Sequence, residues 1–212
     1  MKKCIALFLC LVMLVSICLS GCGFEKKKLV GTWETIVDLA PMVNDEMKKS
    51  DPTIAEFVHV PYLNVTFYLT FNEDDTYSMT VDQEKLDEAL QEMMEGMVDG
   101  LMRYLEEMLV VEDLGMSLDQ VLEMLNLDLD AMLADAYDAM VAEDIFADLE
   151  THGYYKAEKG KLYTAESQQE LELGIAPFEY YTLKDGVLTI TEGTAENEMA
   201  EYLYPMYFQK AD

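Results

Sequence analysis

Leu29-Val30-Gly31-Thr32-Trp33-Glu34-Thr35-Ile36-Val37-Asp38 is the stretch on which the fold turns. Leu29, Gly31, Trp33, Thr35 and Val37 fall on one face of an extended chain, and Val30, Thr32, Glu34, Ile36 and Asp38 on the other. This period of two predicts a first strand. The alternation returns at Asn64 to Phe71 and at Thr76 to Val81, and Asn72-Glu73-Asp74-Asp75 between them supplies hairpin-turn chemistry. Pro41 to Val58 carries Met42, Val43, Met47, Ile54, Phe57 and Val58 among polar residues and is interrupted by Asp51-Pro52, which predicts one or two short helices.

Downstream, the period changes. From about 82 to 150, Leu86, Leu90, Met93, Met97, Leu101, Leu105 and Met108 recur at steps of three or four, the stripe of a long amphipathic helix. Gly115-Met116-Ser117 ends it, and Ser117 with Gln120 forms a capping-box pattern that opens another. Asn126 to Asp130 reads as a break, after which Met132, Ala136, Met140 and Ile145 continue helical spacing to about Leu149, giving an insertion of two or three helices. Strand signals resume at Gly153 to Glu158, Lys161 to Ala165, Phe178 to Leu183, Val187 to Thr191 and Glu201 to Gln209, with Lys159-Gly160 and Asp185-Gly186 as turns. Three strands before the helices and five after make about eight, the number at which a closed barrel has an interior just large enough for side chains or one small ligand. The expected fold class is mainly β with an α insert (α+β): one antiparallel barrel domain over 29–212, with the helical insertion at about 82–150.

The residues before that domain carry an address. Lys2 and Lys3 precede an uncharged apolar run from Cys4 to Leu19, which is the n-region and h-region of a signal peptide spanning residues 1–21. The run is shorter than the roughly 20 residues a permanent bilayer-crossing helix needs. Leu19-Ser20-Gly21-Cys22 is similar to the lipobox of bacterial lipoproteins. The resemblance implies cleavage between Gly21 and Cys22 and a diacylglyceryl group, with palmitate-type chains, on the Cys22 sulfur. Cys4, Cys10 and Cys18 leave with the signal peptide, so the mature chain has no second cysteine for a disulfide or a thiolate cluster. Residues 22–28 form a short tether containing Lys26, Lys27 and Lys28. Two acyl chains suffice for stable anchoring, and the expected location is the extracytoplasmic face of the cell membrane.

At Leu29 to Glu34 the chain resembles the opening of lipocalin-like domains, through the Gly-x-Trp of Gly31 and Trp33. Phe71 to Tyr77, Tyr181 to Ile190 and the terminal aromatic strand are also similar to lipocalin-like lipoproteins of Gram-positive bacteria. The likeness covers residues 29–81 and 151–212 and leaves the helical insertion unmatched. It implies that Gly31 and Trp33 close the barrel floor, with a basic residue of the last strand across the indole. Lys210 is the candidate, although arginine would stack better through its flat guanidinium.

The 212 residues carry a formal charge of −28, and loss of Lys2 and Lys3 takes the mature part to about −30. Nucleic acid and anionic membrane surfaces are poor partners for a molecule of such net charge. No Gly-x-Ser-x-Gly elbow, His-Glu-x-x-His helix or phosphate loop is present. His59 and His152 read as loop histidines, since a metal site would need carboxylates beside both. Asn72 to Asp75 and Asp128 to Asp130 lack the spacing and central glycine of a calcium loop and read as turns and caps. No metal and no cofactor is expected. Nine of the sixteen methionines lie in the insertion, and methionine is a flexible apolar filler suited to adaptable surfaces. Met93, Met97, Leu101, Leu105 and Met108 are therefore the candidate ligand or partner surface. Gly96 and Gly100, beside Glu95 and Asp99, predict close helix approach outside a membrane.

Two functions follow as expectations. One is a non-catalytic, membrane-anchored barrel that binds an apolar small molecule; the other is an envelope interaction module with a filled barrel whose helical insert meets a partner protein. A cavity of a few hundred cubic ångströms would favour the first, and an exposed apolar stripe on the insert the second. A strongly shifted acid in a pocket would revive an enzyme.

Overall fold

The computed structural model describes residues 26–108, 115–125, 128, 131, 134, 150–194 and 200–211. The signal peptide, Gly21, Cys22, Met132 and Met140 lie outside them. The elements run β1 (Gly31–Asp38), α1 (Ala40–Ser50), α2 (Ile54–Phe57), β2 (Asn64–Phe71), β3 (Thr76–Val81), α3 (Gln83–Met108), α4 (Leu118–Leu125), β4 (Thr151–Glu158), β5 (Lys161–Ala165), α5 (Gln168–Leu173), β6 (Phe178–Lys184), β7 (Val187–Thr191), α6 (Ala200–Leu203) and β8 (Met206–Lys210). The eight strands form a closed antiparallel barrel in sequential order, a lipocalin-like α+β fold. Among the described residues no helix is long and apolar enough to cross a membrane.

Alternation decides which side chains enter. Trp33 and Thr35 of β1 stand opposite Leu69 and Phe67 of β2, and all four are buried. Leu188 and Ile190 of β7 face Phe208 and Met206 of β8 in the same way. Trp33, Phe67, Phe71, Tyr155, Leu188 and Phe208 are the bulkiest fully buried side chains of β1, β2, β4, β7 and β8 and share one core cluster. Phe71 and Tyr155 stack with ring centroids 4.7 Å apart, within the range of favourable aromatic pairs.

The connections divide the barrel into two unlike ends. At one, β2–β3, β4–β5 and β6–β7 are joined by tight turns, and the chain enters at 26–30 and leaves after Lys210. Lys159-Gly160 and Asp185-Gly186 each have two successive positive φ angles, the requirement of a type I′ hairpin turn. Asp74 holds the third turn by accepting from both the amide and the hydroxyl of Thr76, at 3.2 and 2.7 Å, which pulls its carboxyl below the ordinary range. At the other end lie all four long connections, those carrying α1 and α2, α3 and α4, α5, and α6.

The stripe predicted for the insertion is real, but it faces its own molecule. Leu86, Ala89, Leu90 and Met93 are buried in the barrel's core cluster, with Met94 and Met97 against it. Met93, expected at a ligand or partner surface, is 3% exposed; Met97, Leu101 and Leu105 are half-buried, and the Met108 side chain lies outside the described residues. The glycine pair explains the close fit, because a Cβ on Gly96 would lie 3.1 Å from the Pro61 ring and one on Gly100 would run into the backbone of Phe57 and Val58. Arg103 donates to the Phe57 carbonyl at 3.2 Å. Ser117 and Gln120 form the predicted reciprocal box, at 2.9 and 3.3 Å.

Two boundaries need correction. Leu29 and Val30 do not begin β1: residues 26–29 form a helical turn, with the Val30 amide donating to the Lys26 carbonyl at 3.2 Å. The strand expected over Glu201 to Gln209 begins only at Met206, after α6 and Pro205. Proline has no N–H for a ladder, so the paired strand starts beyond it.

Candidate functional site

The expected floor residues meet at the end with the tight turns. Gly31 has φ +119°, a backbone that glycine adopts most readily, and a Cβ there would stand 3.0 Å from Lys210 Cε. Lys210 Nζ lies 5.1 Å from the Trp33 ring centroid and donates to the Val30 carbonyl at 2.9 Å. The Trp33 indole N–H donates to the Leu29 carbonyl at 2.6 Å. Trp33 is 2% exposed. The indole N–H and the Lys210 ammonium are thus paired with the carbonyls of Leu29 and Val30, at the foot of β1.

The opposite end holds a cavity of about 170 Å³. Its deeper walls are apolar, formed by Leu69, Phe71, Leu162, Ile190 and Phe208. Its polar groups come from four strands and the α6–β8 connection. Glu179 lies on β6 with the inward parity of Tyr181 and Leu183, as its pairing with buried Leu162 shows. Tyr204, between α6 and β8, donates its hydroxyl to Glu179 Oε1 at 2.6 Å. Tyr77 of β3 is held by the hydroxyls of Thr151 and Thr164, from β4 and β5.

Burial governs the protons here. It pushes the Glu179 carboxyl up, only partly offset by the hydrogen bond from Tyr204. The same cause, with the neighbouring Glu179 charge, pushes the Tyr204 phenol well above its ordinary value, and burial raises Tyr77 too. A carboxyl beside two phenols, all biased toward their protonated forms, makes a compact hydrogen-bonding head over an apolar floor.

The surrounding connections fix that head. The Thr194 amide donates to the Phe178 carbonyl at 2.7 Å, and Thr194 Oγ1 accepts from the Phe178 amide at 3.1 Å. Tyr202 donates to Asp45 Oδ2 at 2.9 Å and ties α6 to α1. Asn44 of α1 exchanges two hydrogen bonds, each of 2.9 Å, with the backbone of Val60. Glu179 and Tyr204 thus sit between segments that are clasped to one another.

The sequence reading missed both residues. Glu179 had a detectable signal, a carboxylate on the inward parity of a barrel strand. Tyr204 had none, because the segment read as strand. His59 is exposed in the β1–β2 connection, whereas His152, expected in a loop, is exposed on β4, where it pairs with Ser78. Among the described residues no group of three or more His, Cys, Asp or Glu is placed to hold a metal ion. No family model matches the chain, and no curated protein or solved structure does either.

Proposed function

We propose that the chain is an exported lipoprotein, anchored through Cys22 at the extracytoplasmic face of the cell membrane, whose lipocalin-like barrel binds a small apolar molecule bearing one hydrogen-bonding group. The observation that carries the binding reading is the apolar cavity of about 170 Å³ with the Glu179–Tyr204 pair at its rim. It is smaller than the few hundred cubic ångströms typical of drug-sized ligands. An engineered apolar cavity of about 150 Å³ holds benzene, however, so a single ring or a short alkyl chain is the size that fits.

Binding is favoured over catalysis by the direction of the proton equilibria. Acid–base chemistry uses groups whose pKa values are pushed apart, whereas Glu179, Tyr204 and Tyr77 are all pushed up. Such groups present hydrogen-bonding atoms that orient a ligand's hydroxyl or carbonyl. The address rests on the sequence: a charged start, a 16-residue apolar run and the Leu-Ser-Gly-Cys segment.

Calorimetry with single-ring molecules, with and without a hydroxyl, tests the site. The hydroxylated ring should bind more tightly by about tenfold, which is about 1.4 kcal/mol, and Tyr204→Phe should erase that preference. Failure of every single-ring molecule to bind would overturn the reading. Palmitate incorporation that survives Cys22→Ala would overturn the anchor.

A second reading, an envelope interaction module, is favoured by the β1–β8 seam. These strands pair only at Trp33 with Lys210 and Glu34 with Gln209, then diverge. An open groove of about 650 Å³ follows, edged by Ile36 and Tyr207, which are 63% and 59% exposed. In this reading the partner surface moves from the helical insert to the seam.

A further inference from the structure

Charge is divided between the two ends of the barrel far more sharply than composition reveals. Around the tight turns and the chain entry and exit stand Lys26, Lys27 and Lys28, Lys156 and Lys159, Lys184, and Lys210. Five acids share that end among the described residues: Glu73, Asp74, Asp75, Glu158 and Asp185. The described parts of the four long connections at the other end carry twenty-two Asp and Glu against Lys48, Lys49, Lys85 and Arg103. Among the described residues one end is slightly positive and the other strongly negative.

From this division we propose that the closed end is a docking face for an anionic bilayer surface, which holds the barrel upright with its mouth turned away from the membrane. The inference rests on the Cys22 anchor of the preceding reading. The tether enters at residue 26, on the closed end, so the acyl chains already bring that end to the bilayer. A strand of eight residues spans about 26 Å, well beyond the screening length of about 8 Å at physiological salt. The bilayer therefore senses the end that approaches it and not the net charge of the chain. Lys26 and Glu158 show how the local acids are answered: Lys26 bridges Asp75 at 2.7 Å, and Lys156 and Lys159 bridge Glu158 at 2.9 and 3.1 Å. Any tilt that lowers the long connections presents twenty-two acids to anionic headgroups, and that repulsion restores the upright pose.

Trp33, the chain's single tryptophan, sits at the closed end and reports its distance to the bilayer. The acylated mature protein is incorporated into phosphatidylcholine vesicles containing a dansyl-labelled lipid, with or without phosphatidylglycerol, and energy transfer from Trp33 is measured beside vesicle flotation. Docking predicts that transfer rises by roughly twofold with phosphatidylglycerol and falls back in high salt. Combined Lys27→Glu and Lys184→Glu should abolish the rise, whereas Lys48→Glu with Lys49→Glu, an equal charge change at the other end, should leave it. Flotation with both vesicle types and equal transfer in each would overturn docking while the anchor stands. Flotation with phosphatidylglycerol vesicles alone would overturn the anchor while docking stands, and flotation with neither would overturn both.

Discussion

The closed end and the open end of this barrel share eight strands and differ in almost everything else. At the closed end the chain turns in two to four residues, Trp33 fills the floor, and Lys210 lies across it. At the open end long connections clasp one another by side chains, and a carboxyl and two phenols remain around a cavity. Local turn chemistry and one large apolar side chain suffice to shut a barrel, whereas keeping a mouth open takes many contacts between segments distant in sequence.

Removing the floor should have the largest effect. Trp33→Ala deletes a fully buried indole and its hydrogen bond to Leu29, and should cost about 3–5 kcal/mol in denaturant unfolding. A loss near that of an exposed residue would show that the closed end does not hold the fold. Gly100→Val should come next, at about 1–3 kcal/mol, because the new side chain meets the backbone of Phe57 and Val58. Amide exchange should then quicken in α2 and α3 while β7 and β8 stay protected; uniform acceleration would mean that the two ends do not respond separately.

Lys210→Met acts at the closed end on a smaller scale. It keeps the aliphatic stem and removes the charge over Trp33, for an expected loss of about 0.5–1 kcal/mol. The smallest effect is one of pH. Burial raises the Glu179 pKa in the folded state, so that state holds its proton where the unfolded chain has released it. Stability is then lost as pH climbs from the ordinary carboxyl range through the raised value. Glu179→Gln should remove this loss, so the variant's melting temperature should gain on the parent's between pH 4 and pH 7. A constant difference across that range would contradict the assignment of a shifted carboxyl.

The closed end was largely legible in the sequence, because turns and alternation are local signals. Lys159-Gly160 and Asp185-Gly186 name their own turn type, and the parity of Trp33 and Thr35 sets their burial. The stripe of α3 was equally visible, but a stripe does not say what covers it, and here Leu86, Leu90 and Met93 lie against the barrel. α5 was missed although Gly174, in the left-handed conformation at its C-terminus, marks where it stops. The open-end site was the hardest to see. Glu179 and Tyr204 are 25 residues apart and meet only because α6 and Pro205 delay β8, an interruption that alternating Tyr202, Tyr204 and Met206 disguises as strand.

Native mass spectrometry of the mature protein, prepared from cells that make it naturally, shows whether the cavity is a binding site. One retained small molecule of single-ring or short-chain size is expected, and it should be lost when Thr164→Phe fills the cavity. A parent protein that carries no such molecule, or one whose retained mass is unchanged by that substitution, would contradict binding there.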